Sequence, residues 1–331
     1  MPQNASDHPI NDAHSENQSG KPAQTDEHPS PAVSSTISEP DLLKTIYDGF
    51  GPAANEQTKT AALSSMSKYL QQAVSTHPSA QKYNLLILFD SSTMVKGDAD
   101  DIYNAITTFK DNRPLLLVLY SKGGAIGSAY LIGKLCRECS NGTFIITVPR
   151  IAKSAATLLT CAADEIHMGS LSELGPIDPQ INELPALGLK NSIEHIASLV
   201  KKTPEAAEMF AKYLHYSLKP IDLGYYERVA ESALQYAERL LSTHSANLSR
   251  DASSIANELV YLYKDHGFVI DKTEAERIFG SKVVKHNTDE YDLGNSLYKS
   301  LTFLERFFDF LNCYFYFIGS LDSEPKVRKR T

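Results

Sequence analysis

A serine with the surroundings of a nucleophile stands in the string Ala152-Lys153-Ser154-Ala155-Ala156-Thr157, between the apolar run TFIITVP and the small-residue run AATLLTCAAD. At the head of a helix such a hydroxyl lies among unpaired backbone N–H groups, and donors fixed in advance steady an alkoxide or an oxyanion. Serine is equally a preferred helix cap, so the position by itself leaves both roles open. The second string is Ser121-Lys122-Gly123-Gly124-Ala125, directly after PLLLVLY. Paired glycines let the backbone turn sharply and aim N–H groups at a ligand oxygen, or simply permit a tight strand-to-helix turn. Used together, the two strings would support attack on a carbonyl with main-chain donors holding the oxyanion. A serine hydroxyl is a weak nucleophile, so that chemistry also requires a group to take its proton.

Three apolar runs of strand length must carry these loops: YNLLILFD at 83–90, PLLLVLY at 114–120 and TFIITVP at 143–149. Helical segments at 98–110 and 125–139 separate them. Runs that are apolar on both faces and alternate with helices are what a parallel sheet buried under helices requires, so the fold class is α/β. In such sheets ligands bind at the carboxyl ends of the strands, where both strings fall. Helical periodicity precedes the strands from residue 41 to 76, with a break at Gly51-Pro52, and returns after Asn191 to the final stretch from Leu293. That stretch, LTFLERFFDFLNCYFYFIGSL, is rich in Phe and Tyr. Glu305, Arg306, Asp309 and Asn312 interrupt it, which leaves too short an uncharged remainder for a bilayer crossing. The expected domains are a tail at 1–40, a helical lead-in at 41–80, the α/β core at 81–190, a helical region at 191–320 and a basic tail at 321–331.

Composition narrows the function classes. The 331 residues are 42% hydrophobic and 22% charged, an ordinary soluble balance, and the net charge of −8 provides no global basic field for nucleic acid or an anionic membrane. Four cysteines are too few for a disulfide framework, which points to a reducing, cytoplasmic compartment. The first forty residues are polar, without apolar periodicity, and are expected to be disordered; they lack the basic start and apolar stretch of a secretory signal, so no export is expected. Their three histidines, His8, His14 and His28, are too loosely spaced to suggest a metal site.

The order of these features resembles the ClpP/crotonase superfamily of serine peptidases: a buried strand, a Gly-Gly turn, a second buried strand, a serine opening a small-residue helix, then CAADEIHMG and LGPIDPQ. Within it the chain is most similar to the serine dehydrogenase proteinases, relatives of signal peptide peptidase A. The segments GGAIGSA, KSAATLLTCAADEIHMGS and LGPIDPQI carry the resemblance over residues 83–182, and KDHGFVIDKTEAERIFG carries it more faintly. It implies a ClpP/crotonase-like fold and a serine-type peptidase acting on peptide or protein. Ser154 would be the nucleophile, Gly123 or Gly124 would supply one oxyanion N–H, and Ala155 the other. No metal or organic cofactor is implied. Helices after the core would mediate assembly into a homo-oligomer, with the aromatic final helix as a contact surface.

The general base is open at this stage. ClpP-like peptidases carry a histidine in the segment resembling LGPIDPQ, where this chain has Asp178. Relatives of signal peptide peptidase A use a lysine from elsewhere in the fold, which makes Lys201, Lys202 and Lys212 candidates; a lysine base must be desolvated to lose its charge near neutral pH. His266, in KDHGF, stands equal to them, with Asp178 as an orienting or structural group. Lys153 is read as a surface or substrate-steering residue, because neighbours at a helix start point apart, and His167 as a strand residue. Gly123-Gly124-Ala125-Ile126-Gly127 lacks the spacing of a dinucleotide fingerprint, which leaves Arg150 without a 2′-phosphate to meet. Cys136 and Cys139 have the spacing of a metal or redox pair, yet no second pair follows. Two alternatives remain: a crotonase-type acyl-CoA enzyme using the same donors for an enolate, and an inactive scaffold of the same fold.

Overall fold

The computed structural model describes residues 36–181, 184–217 and 219–330. His8, His14, His28 and most of the 1–40 segment lie outside the described residues. The chain opens with helices α1 (Glu39–Phe50) and α2 (Glu56–Ser75), broken at Gly51-Pro52 as their periodicity requires. Side-chain caps start both: Ser38 accepts from the Asp41 N–H, and Asn55 from the Thr58 N–H.

Strands and helices then alternate: β1 (Asn84–Asp90), α3 (Lys96–Ile106), β2 (Leu115–Ser121), α4 (Ile126–Cys139), β3 (Phe144–Val148), the short β4 (Ile151–Ala152), α5 (Ala155–Thr160) and β5 (Glu165–Met168). Short pieces follow, β6 (Glu173–Leu174), β7 (Gln180–Ile181) and β8 (Leu184–Pro185). Next come α6 (Ala186–Lys202), α7 (Ala207–Ser217), α8 (Pro220–Leu241) and α9 (Ala252–Asn257). The chain ends in β9 (Ile270–Asp271), α10 (Lys272–Phe279), β10 (Val284–Lys285), α11 (Asp289–Phe310), β11 (Cys313–Ser320) and β12 (Lys326–Lys329).

The main sheet runs β10-β5-β3-β2-β1-β11-β12, parallel from β10 to β1, with β11 and β12 antiparallel at the far edge. Strand side chains alternate between two cores, which is why the runs are apolar throughout. Leu86, Leu88, Leu117, Leu119, Ile146 and Val148 face one core with α3, α4 and α5; Leu85, Ile87, Phe89, Leu116, Val118 and Ile145 face the other with α1, α2 and α11.

The downstream region differs from expectation in two ways. CYFYFIGS is strand β11, not the end of a helix: Asn312 takes a left-handed conformation (φ 54°) that stops α11, and Cys313, Phe315 and Phe317 then alternate into the core while the strand pairs with β1. The basic ending is not a solvated tail either. Lys326–Lys329 form β12 against β11, with Lys326 paired to Asp101 and Arg328 lying over the Tyr314 and Tyr316 rings. The sheet therefore draws three strands, β9 to β11, from a region read as helical and a fourth, β12, from the stretch read as a basic tail. Among the described residues no helix is long and apolar enough to cross a membrane.

Candidate functional site

Between β2 and α4 the chain makes the bend Lys122-Gly123-Gly124-Ala125. Gly123 (φ 103°) and Gly124 (φ 148°) occupy backbone regions that side-chain-bearing residues rarely adopt. The bend is also pressed from both sides. A Cβ on Gly124 would stand 2.4 Å from the Met94 nitrogen, and one on Gly123 would stand 2.6 Å from the Lys153 carbonyl oxygen. Met94 fixes the bend by donating its N–H to the Gly123 carbonyl (2.8 Å) and accepting from the Ala125 N–H (2.9 Å), while the Gly123 N–H donates to Ser121 Oγ (3.1 Å). The Gly124 N–H is left without a hydrogen bond among the described residues.

β4 brings the serine loop to this bend. Ala152 pairs with Ser121 in parallel register and the Lys153 N–H donates to the Ser121 carbonyl (3.0 Å). Ser154 follows with φ 51° and ψ −115°, a strained conformation for a residue with a side chain. It sits at the N-cap position of α5, yet its side chain makes no capping bond. Instead the Ala156 N–H donates to the Lys153 carbonyl (2.8 Å), and the Ala155 N–H, like that of Gly124, has no partner among the described residues. The capping role that serine most often plays at a helix start is thus absent. α5 is buried along its whole length, and its small residues let the serine approach the glycine bend closely.

Ser154, Gly123, Gly124 and Ala125 line one cavity of about 590 Å³. The same cavity is lined by Ser91, Ser92 and Thr93 after β1, by Lys122, by Pro179 and Gln180, and by His266. His266 lies on a turn closed by Asp265, which accepts from the Gly267 and Phe268 N–H groups. Its Nδ1 faces Asp178 Oδ2 at 3.8 Å. Asp178 is held from behind: the Ile177 N–H donates to the Leu259 carbonyl (2.9 Å) and Gln180 Nε2 donates to Asp178 Oδ2 (3.0 Å). Burial pushes the Asp178 carboxyl up, against the opposing pull of His266 and the Gln180 amide. Asp178 Oδ1 and His266 Nδ1 are both buried without a hydrogen-bond partner. Such an open pair is common where catalytic hydrogen bonds tighten only when substrate binds.

The three lysines stand elsewhere. Lys201 and Lys202 are exposed in the last turn of α6, and Lys212 is exposed on α7, paired with Glu208 at 2.7 Å. None lines the cavity or meets the desolvation a lysine base needs. Lys153 is not the surface residue its position implied: its side chain is 17% exposed and is turned away from the cavity onto Glu173, the Leu174 carbonyl and the Phe268 carbonyl. His167 is a buried strand residue, bonded through Nδ1 to Thr288 and through Nε2 to Glu165. Arg150 is committed to Asn295 and the Tyr298 ring. Cys136 and Cys139 are free thiols on α4, the first fully buried and held protonated by burial. The glycine bend, Ser154, His266 and Asp178 are thus brought together. Sequence reasoning did not find Met94 or the Ser91–Thr93 wall, whose only signal was a polar string at the carboxyl end of a buried strand.

Comparison with known proteins follows the same segment. Residues 81–208 match the ClpP-like SDH-type serine proteinase family. Two uncharacterized proteins of Methanocaldococcus jannaschii are similar: MJ0137 is 34% identical over 97 residues (29% of this chain, 34% of that protein), and MJ1495 is 33% identical over 92 residues (28% and 31%). The match thus spans about a third of the length of these relatives. Among solved structures the chain is similar to two variants of the 1510-N membrane-bound stomatin-specific protease, both 16% identical. One covers 66% of this chain and 85% of its own with a TM-score of 0.41; the other, in complex with a substrate peptide, covers 63% and 78% with a TM-score of 0.40. Over the matched residues the α/β fold is ClpP-like.

Proposed function

We propose that this chain, whose residues 81–208 match the ClpP-like SDH-type serine proteinases, is a serine-type peptidase that uses Ser154, His266 and Asp178. The observation that carries the reading is the strained Ser154, uncapped and facing a cavity shared with the free Gly124 N–H and with His266. Ser154 Oγ attacks the peptide carbonyl carbon while His266 takes the hydroxyl proton, and the Asp178 carboxylate, facing Nδ1 at 3.8 Å, steadies the charge the ring gains. The new oxyanion is held by the N–H groups of Gly124 and Ala155. Donors already in place need no reorganisation as charge develops, and loss of one typically costs about 10²–10³ in rate. His266 then gives its proton to the leaving amine, and the resulting acyl-serine is hydrolysed by a water that the same imidazole deprotonates. The chain order is serine, aspartate, histidine. No step needs a cofactor or a metal.

The reading extends to assembly. α7 has no buried residue among those described and exposes Met209, Tyr213 and Tyr216, an apolar face suited to contact with a second copy of the chain. All four cysteines are free thiols, which fits a cytoplasmic setting.

Reaction with a fluorophosphonate probe tests the proposal. Peptide mass spectrometry is expected to find the adduct on Ser154, and both labelling and hydrolysis of unstructured protein to vanish in Ser154→Ala. A folded sample that hydrolyses substrate without labelling at Ser154, or does neither, overturns it.

A further inference from the structure

We infer that Lys153 is a positioning residue: it ties the loop carrying His266 and the turn leading to Asp178 to the loop carrying Ser154. This rests on the peptidase reading above for its functional meaning, but the tie itself is read from contacts. An ammonium group has three donors and no acceptor. Lys153 Nζ meets three acceptors: Glu173 Oε2 at 2.6 Å, the Leu174 carbonyl at 3.0 Å and the Phe268 carbonyl at 3.3 Å. Its side chain is largely withdrawn from water, where a cation is retained only if it is paired and hydrogen-bonded. Room for its stem comes from Gly175, where a Cβ would stand 2.8 Å from Lys153 Cδ.

The three segments so joined are those that carry the proposed triad. Lys153 precedes Ser154; Leu174 lies four residues before Asp178; Phe268 lies two after His266. Within residues 264–269 the other described backbone hydrogen bonds are local to Asp265, and His266 stands too far from Asp178 for a hydrogen bond to hold its ring. The β4–β6–β9 ladder reaches only to Ile270; within 264–269 the Lys153 bond to the Phe268 carbonyl is the described hydrogen bond that joins this loop to the nucleophile's own loop. Without it, His266 keeps its chemistry but loses its place, and a displacement of about 1 Å can cost about 10²-fold in rate.

The test uses the full chain with Lys153→Met, which keeps the stem and removes the donors, and Lys153→Arg, which restores donors. Amide hydrogen exchange in residues 266–269, read by mass spectrometry, is expected to rise about tenfold or more in Lys153→Met, as loss of a charged hydrogen bond implies, with exchange in β1–β3 unchanged. In the same variant kcat falls at least tenfold while KM stays within threefold, and Lys153→Arg recovers part of both. Exchange in 266–269 unchanged within twofold overturns the inference, as does a lowered kcat with normal exchange. Should Lys153→Met fail to fold, Lys153→Gln, polar but one bond too short to reach the Phe268 carbonyl that stands 3.3 Å from Nζ, is read by the same criteria. Absence of Ser154 labelling in the natural protein would remove the peptidase reading, and the exchange result would still decide whether Lys153 makes the tie.

Discussion

Gly123 and Ser154 stand so close that a Cβ on the glycine would lie 2.9 Å from the serine Cβ, as well as 2.6 Å from the Lys153 carbonyl oxygen. The glycine bend and the serine loop are therefore one packed unit. Gly123→Ala must push them apart and hold φ 103° with a side chain. The expected outcome is a loss of at least about a hundredfold in kcat/KM, on the scale of a lost oxyanion donor, with a lower midpoint of thermal unfolding. Peptide hydrolysis and a thermal scan check it; a fully active Gly123→Ala would show that the bend does not serve the site.

Strain at Ser154 sets stability against function. Its φ of 51° costs about 1–3 kcal/mol for a residue with a side chain, and glycine adopts that backbone freely while adding about 0.5–1 kcal/mol of chain entropy cost. Ser154→Gly is expected to unfold a few degrees higher than the natural protein and to lose fluorophosphonate labelling completely. Ser154→Ala, which keeps the strain, is expected to lose labelling with no such gain. Equal midpoints for the Gly and Ala variants would mean that the strain is relaxed in solution.

The sequence made the strands legible because each run is apolar on both faces, and it made Ser154 and the glycine pair legible because both stand where such strands end. The proposed base, His266, was legible only as one candidate beside three lysines. Lys201, Lys202 and Lys212 have the chemistry of a base but not the burial, and burial is a property of packing that no spacing discloses. His266 is 88 residues after Asp178, and it is tertiary pairing, β6 with β9 and Leu174 opposite Ile270, that brings the two segments side by side. The misread strand β11 has a similar cause. Its Phe and Tyr residues follow a helix of like composition, and the switch of period begins at a single residue, Asn312, in a left-handed turn.

Replacing the lysines separates the two kinds of base directly. With Lys201, Lys202 and Lys212 all changed to Ala, kcat/KM is expected to stay within twofold, because all three side chains are exposed and away from the cavity. His266→Ala is expected to lose about 10²–10⁴-fold, the usual contribution of a positioned acid–base group. Loss of activity in the lysine variant with retention in His266→Ala would reverse the assignment.

Asp178 carries a stability cost that its replacement should reveal. Burial raises its carboxyl in the folded chain above the ordinary value of 3.8, so at neutral pH the folded state holds a charge it disfavours. Removing that charge stabilises the fold wherever both states are ionised, and the difference closes as pH falls through the folded value and then below 3.8. Asp178→Asn is therefore expected to be more resistant to urea than the natural protein at pH 7, to lose that advantage in acid, and to be slower in hydrolysis throughout. A variant less stable at pH 7 would mean that the His266 contact outweighs the burial.

Acid should act on the support behind the His266 loop with the opposite sign. Glu274 accepts from Arg277 Nε (2.9 Å) and from the Tyr263 hydroxyl (2.7 Å), and Tyr263 packs its ring against Phe268 at 4.6 Å. The Arg277 hydrogen bond, with that of Tyr263, lowers the Glu274 carboxyl from 4.5 to about 2. A carboxylate depressed in the folded state contributes stability that is fully present above the unfolded value and is lost as pH falls through the folded one. The window is thus from 4.5 down to about 2. The unfolding free energy of the natural protein is expected to exceed that of Glu274→Gln at neutral pH, and the gap to narrow through this window, because the glutamine variant has no carboxylate there to titrate. Glu274 is partly exposed, so the gap should also shrink in high salt. Urea unfolding of both proteins across this range is the measurement, and a gap that does not change with pH would show that the Glu274 contacts act through packing and not through charge.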